Sequence, residues 1–357
     1  MAKPRLLAGY DMIRARFDHA PRRLAYVPGA SFEDWKASFK QKVLELIGPF
    51  PGTVPLRMEV VDEEIIDDFV EAGIDPYIQR KIVYDTEPFA SCVARLLVPG
   101  DIKQGERRPA ILCAHGHGSG KHQMIGLDHS TWQPKNGSAP GAPNFEAAAV
   151  HLVKLGYVVI APDWRAFGER ALDPEYARRG RDPCNVLHMS FGYFGFTLLG
   201  LNVWDAMRTI DLLQSLPQVD PGRIGMVGKS YGGTMTAYTT ALDDRIKAAC
   251  ISGYLSTLDD AMSRRGLGNY CGAQYLPGLL EWGDIPDVVG LIAPRPLLIE
   301  AGKHDDCFVF PDTTKAYDRL VEIYKSAGYP ERLDRDVADV GHEFIFKKLP
   351  AFFERYL

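Results

Sequence analysis

The chain has 357 residues, of which 46% are hydrophobic and 24% charged, and a formal net charge of -5. That length and balance suit one large α/β domain with additions, or two modest domains, and exclude a disordered or fibrous chain. The mild acidity leaves no basic footprint for nucleic acid or an anionic membrane surface, and no apolar run is long enough to span a bilayer.

The first residues, Met1-Ala2-Lys3-Pro4-Arg5, are followed within a few positions by Arg14, Arg16 and Asp18, with no apolar leader between them. A cytoplasmic protein is the expectation. The six cysteines (Cys92, Cys113, Cys184, Cys250, Cys271 and Cys307) are widely spaced without a C-x-x-C pair, and several sit in apolar runs. They read as buried free thiols, with neither a disulfide framework nor a zinc site.

Residues 1 to about 80 lack the regular alternation of the later chain. Apolar spacing predicts a helix over 32–47, with Ser31 as N-cap and a stop at Gly48-Pro49. The proline-rich stretch after it cannot be helical, so this part is expected to be an extension packed on the main domain, which takes up residues 81–357. Strands are predicted over 80–84 and 90–99, joined by Glu87-Pro88 as a meander.

From residue 110 a rhythm of continuous apolar strands and helices begins. Strands are predicted over 109–115, 157–161, 223–227, 246–251, 296–301 and 333–337. Helices are predicted over 145–155, 202–216, 313–326 and 346–356. Such a pattern means a mostly parallel sheet covered by helices on both faces.

The strand ending at Val227 runs into Gly228-Lys229-Ser230-Tyr231-Gly232-Gly233, and a helix follows. A serine at the apex of a strand-turn-helix, flanked by glycines that let strand and helix close up, reads as a nucleophile. The competing reading is Ser230 as a helix N-cap.

In open parallel sheets, functional groups gather at the carboxyl ends of the strands. After the strand over 296–301 comes Gly302-Lys303-His304-Asp305-Asp306, and after the last strand comes Gly341-His342. A serine hydroxyl needs a neutral imidazole to take its proton, and the imidazole needs a carboxylate to fix its tautomer. His342 is the expected base and Asp305 the expected acid, with Asp306, and more remotely Asp259 and Asp260, as rivals. His304 is a weaker rival base.

The oxyanion formed on attack needs preorganised N–H donors. One is expected from the backbone of Tyr231, the other from the loop His115-Gly116-His117-Gly118-Ser119-Gly120, at His117. A metal site built on His115, His117, His122 and His129 lacks accompanying carboxylates or cysteines. A phosphate loop at Gly120-Lys121 fails at both ends, since His115 and His122 stand where glycine and Ser or Thr are required. No cofactor and no metal are expected.

On these parts the chain resembles the α/β-hydrolase superfamily over roughly residues 80 to 357. Within it, it is most similar to the bacterial dienelactone-hydrolase-like and acetyl xylan esterase-like group. The likeness rests on His115-Gly116-His117-Gly118, Asp163-Trp164-Arg165-Ala166-Phe167-Gly168-Glu169-Arg170, Val219-Asp220-Pro221-Gly222-Arg223-Ile224-Gly225, Leu276-Pro277-Gly278-Leu279-Leu280 and Ile292-Ala293-Pro294-Arg295-Pro296-Leu297. It implies an α/β-hydrolase fold and a cofactor-free serine esterase acting on a small-molecule ester. It also supports Ser230, Asp305 and His342 by position. One departure is that true dienelactone hydrolases use a cysteine nucleophile, where this chain has Ser230.

An amidase or small peptidase with the same triad, or a catalytically silent binding protein, are the alternatives. The stretch 163–170 reads as an ion-paired loop bracing the core. Aromatic residues within 180–200 (Phe191, Tyr193, Phe194, Phe196) and 254–290 (Tyr270, Tyr275, Trp282) could wall a pocket. Oligomeric state is left open.

Overall fold

A computed structural model describes residues 8–67, 75–126, 147–172, 181–263, 267 and 270–357. Its centre is a nine-stranded sheet: β1 (Glu59–Ile66), β2 (Tyr77–Glu87), β3 (Ala90–Pro99), β4 (Arg108–Ala114), β5 (Val158–Pro162), β6 (Val219–Lys229), β7 (Ile246–Ser252), β8 (Leu297–Gly302) and β9 (Leu333–Ala338). The spatial order is β1-β2-β3-β5-β4-β6-β7-β8-β9. Strands β1 to β3 and the β3–β5 pair are antiparallel, and the rest of the sheet is parallel.

Every strand expected from the sequence is present, with ends moved by a few residues. The parallel strands are apolar throughout because both of their faces are covered. In β4, Ala110, Leu112 and Ala114 belong to one core, and Ile111 and Cys113 to the other. The first core is closed by the helices Phe32–Ile47, Leu198–Ser215, Tyr231–Leu242 and Phe310–Ser326, and the second by Ala148–Lys154 and Leu349–Tyr356. Side chains that alternate along a strand thus serve opposite layers.

The helix expected over 145–155 is found as Ala148–Lys154, and positions 145 and 146 lie outside the described residues. The helix at 346–356 starts later, at Leu349, because the preceding backbone turns through a left-handed Phe346 (φ 60°).

Two elements of the first eighty residues were not expected. A helix at Gly9–Asp18 buries only Phe17, so its sequence carries little apolar periodicity. Strand β1 pairs with β2 at the sheet edge, and its run Glu59-Val60-Val61-Asp62-Glu63-Glu64-Ile65-Ile66 is exposed almost throughout. Charged residues on such an edge discourage pairing with other chains, and they also hide the strand from a search for apolar alternation.

The helix Phe32–Ile47 forms as expected, and Ser31 caps it by accepting from the Asp34 N–H at 3.4 Å. It buries Phe32, Trp35, Phe39, Val43 and Ile47, spaced to make a single apolar stripe. Phe39 is fully buried and stacks on Trp35 at 5.9 Å. Phe39→Ala should lower stability by about 3–5 kcal/mol. Urea denaturation checks this, and the loss should appear in the main unfolding transition because Phe39 belongs to the same core as the sheet.

Candidate active site

Strand β6 ends at Lys229 and the helix begins at Tyr231, so Ser230 has to make the whole turn. It does so at φ 59° and ψ -119°, a conformation that costs a non-glycine residue about 1–3 kcal/mol. Its side chain makes no capping hydrogen bond, which removes the helix-cap reading. The flanking glycines are required sterically. A Cβ on Gly228 would lie 2.4 Å from the Gly232 carbonyl oxygen, and one on Gly232 would lie 2.1 Å from that of Ala114.

Asp305 lies beyond the end of β8 and is buried. One of its oxygens accepts the N–H groups of Cys307 (2.7 Å) and Phe308 (2.9 Å), and the other meets His342 Nδ1 at 2.8 Å. Burial pushes the carboxyl upward, but the His342 bond and the two N–H donors outweigh it, so its pKa falls below the ordinary carboxylate value. A carboxylate at Nδ1 fixes the proton there and leaves Nε2 as the basic nitrogen.

The rivals are placed elsewhere. Asp306 is exposed, His304 pairs with Asp339 at 2.8 Å on the surface, and Asp259 pairs with Arg14 at 2.9 Å. The side chain of Asp260 lies outside the described residues.

Ser230 and His342 each lie against the turn after β7. Ser252 accepts the Ser230 N–H at 3.0 Å, and a Cβ on the next residue, Gly253, would lie 3.1 Å from His342 Cε1. Two side chains not singled out from the sequence hold the histidine loop. Lys229 Nζ donates to the His342 carbonyl at 3.2 Å. Glu300, buried in β8, accepts the N–H groups of Ile345 (3.2 Å) and Phe346 (2.9 Å). Their signal in the sequence is a charged residue inside an otherwise apolar strand.

The glycine loop lies against this elbow. A Cβ on Gly116 would be 3.7 Å from the Ser230 Cβ, an ordinary contact, so glycine is tolerated there without being demanded. Tyr231 opens its helix, so its N–H belongs to the unpaired first turn. Its hydroxyl takes a 2.6 Å bond from Asn202. The His117 ring is half exposed and packs edge-on to Phe167 at 5.2 Å.

His115 is fully buried and fully used. Its Nδ1 donates to the Gly116 carbonyl at 2.7 Å, and its Nε2 accepts the Trp164 N–H at 3.1 Å. It is therefore no ligand of a histidine metal cluster, and His129 lies outside the described residues.

Lys121, the lysine of the phosphate-loop alternative, is committed as well. It is buried and bonds Asp163 at 2.6 Å and Glu169 at 2.6 Å. Arg165 makes a two-point bond to Asp205 (2.9 and 2.9 Å), which Arg170 joins at 2.8 Å. The stretch 163–170 is thus the expected ion-paired brace, and it anchors the glycine loop through Lys121 and His115.

A cavity of about 590 Å³ lies between the Gly9–Asp18 helix and the segment carrying Tyr270 and Tyr275. Ser230, Asp305 and His342 are not in its lining. Tyr270 touches Phe308 at 5.8 Å, and Phe308 stacks on His342 at 6.0 Å, so the cavity stands two rings from the base. Phe191, Phe194 and Phe196 line a separate cavity of about 530 Å³ beside Arg165. Tyr193 is exposed, and Trp282 packs under Lys42 and Arg23 from the N-terminal stretch.

Two outcomes follow for the loop. Lys121→Met leaves the Asp163 carboxylate buried without its ammonium partner and should cost roughly 3–5 kcal/mol in denaturant unfolding. Adding Asp163→Asn should return part of that loss. His115 is held neutral by burial down to about 4, whereas the unfolded imidazole protonates near 6.5. Acidification between those values favours the unfolded chain, so stability falls as pH drops through that window, by up to about 3 kcal/mol from this group. The pH dependence of unfolding should be flatter in His115→Gln than in the parent, and parallel profiles would contradict the assignment.

The comparisons with known proteins agree with this architecture. Residues 9–337 match the family model described as Abhydrolase family. The Bacillus subtilis protein named "Putative hydrolase YtaP" is 28% identical over 301 residues, which is 82% of this chain and 89% of that protein. The fold is similar to that of a solved structure titled a "putative acetyl xylan esterase" from Bacteroides fragilis, at TM-score 0.73 and 21% identity, covering 94% of this chain and 82% of that one. It is also similar to a glucuronoyl esterase from Solibacter usitatus, at TM-score 0.63 and 15% identity, covering 94% of this chain and 97% of that one. With a family match over most of its length and an α/β-hydrolase sheet, the chain belongs to the Abhydrolase family.

Proposed function

We propose that the protein is a carboxylic-ester hydrolase that works through an acyl-enzyme on Ser230. The observation that carries this reading is the 2.8 Å bond from His342 Nδ1 to the buried Asp305, next to the turn that holds the Ser230 backbone. The Ser230 hydroxyl attacks the ester carbonyl while His342 Nε2 takes its proton. Asp305 stabilises the imidazolium so formed. The backbone N–H groups of His117 and Tyr231 receive the oxyanion. His342 returns the proton to the departing alcohol, and water then repeats the cycle and frees the acid.

Short-chain acyl or acetyl esters are the favoured substrates. Support comes from the neighbours titled acetyl xylan esterases, which share the fold at low identity, while the glucuronoyl esterase neighbour supports ester hydrolysis alone. The free thiols suit a reducing compartment, and among the described residues no helix is long and apolar enough to cross a membrane. A cytoplasmic setting, which the free thiols support, is part of the proposal.

Ser230→Ala should lower turnover of p-nitrophenyl acetate by at least about 10⁴-fold while circular dichroism stays unchanged. Asp305→Asn should cost about 10³- to 10⁴-fold, because the amide favours the wrong tautomer of His342. Turnover retained in Ser230→Ala would refute the assignment. Turnover of an anilide faster than that of the matching ester would favour an amidase.

A further inference from the structure

Beside the glycine loop, three donors outside the Asp305–His342 pair converge. A ring nitrogen of His117, Cys184 Sγ and Cys271 Sγ all lie within 4.8 Å of one another. They come from three separate parts of the chain. His117 follows β4, Cys184 sits in the first turn of the helix Pro183–Gly192, and Cys271 lies in the segment before Gly272. From the sequence no metal was expected, because no regular spacing links these positions.

We infer that His117, Cys184 and Cys271 form a binding site for one zinc-class divalent cation, with a water molecule as fourth ligand. The set is that of a three-ligand zinc site, two thiolates and one imidazole, with one position left open.

The spacing fits. A tetrahedral zinc with Zn–S about 2.3 Å and Zn–N about 2.0–2.1 Å separates sulfur from nitrogen by about 3.6 Å. His117 Nε2 and Cys184 Sγ are 3.6 Å apart. Cys271 Sγ lies within 4.8 Å of both other donors, so its two edges close to the spacing of a zinc site by a movement of about 1 Å.

The surroundings hold the donors in place. Asn185, next to Cys184, accepts the N–H of Gly272, next to Cys271, at 2.7 Å. A Cβ on Gly272 would lie 2.8 Å from the Cys184 carbonyl oxygen, so the two cysteine-bearing segments are pressed together. Asp182 caps the Cys184 helix with one oxygen and brings the other to 3.7 Å from His117 Nε2, adding negative charge beside the site. Both cysteines are buried while His117 is half exposed, so an ion can enter from the imidazole side.

Titration of the reduced, metal-free protein with Co²⁺ and then Zn²⁺ tests the site. The expected result is one equivalent of Co²⁺ bound with a thiolate-to-cobalt charge-transfer band and the intense visible bands of tetrahedral geometry, both bleached by Zn²⁺. Cys184→Ser and Cys271→Ser should abolish the band, and His117→Gln should weaken binding by at least about 10- to 100-fold. Cys92→Ser, at a buried thiol outside the cluster, should leave it intact. Circular dichroism controls for folding, and the parent protein's spectrum decides the question even if a variant fails to fold. Absence of the charge-transfer band in the parent, or its persistence in Cys184→Ser/Cys271→Ser, overturns the proposal. So does a Cys184–Cys271 disulfide that, once reduced, leaves a protein unable to take up Co²⁺, because the pair would then be a redox couple.

Discussion

The turn at Ser230 sets the terms for much of this structure. A side chain held at φ 59° between a central parallel strand and a buried helix is strained, and packing from both sides has to fix it. That packing requires Gly228 and Gly232, and it brings β4, the carboxyl end of β7 and the start of the helix Tyr231–Leu242 to one point. The glycine loop after β4 and the Ser252–Gly253 turn therefore lie beside the serine as a direct result of how the elbow packs. Because β8 and β9 follow β7 in the sheet, the loops bearing Asp305 and His342 arrive on the same rim.

Around the elbow stand buried charges that an apolar core could have replaced. Lys121 with Asp163, and Arg165 and Arg170 with Asp205, lose much of their mutual attraction to desolvation, so stability alone does not account for them. Their directional bonds do. Asp163 accepts the Lys121 N–H at 2.6 Å and the Glu169 N–H at 2.9 Å, and Arg170 donates to the Asp163 carbonyl at 3.0 Å. A hydrophobic contact would let the glycine loop slide, whereas these bonds set its position to within a hydrogen-bond length. Glu300 and Lys229 do the same for the loop of His342.

How much was legible in the sequence depended on how local the signal was. The parallel strands announced themselves because both faces are covered, which makes them apolar residue after residue. Ser230, Asp305 and His342 could be singled out because each follows its own strand. Strand β1 was hidden because it is an exposed edge rich in Asp and Glu, and the helix Gly9–Asp18 because it buries one residue. The lysine of Gly120-Lys121 looked like a fragment of a phosphate loop, and only the partner at Asp163, far along the chain, shows it to be a brace. The cysteines read correctly as buried thiols, Cys307 being only partly so. That Cys184 and Cys271 meet His117 depends on loop packing that no local pattern encodes.

The central claim is that Ser230 is a nucleophile activated by His342. Labelling with a fluorophosphonate, followed by peptide mapping, tests it most directly. The account predicts a single adduct on Ser230, formed at a rate that collapses in His342→Ala. An adduct on another residue such as Cys271, or labelling of Ser230 unaffected by loss of His342, would contradict it.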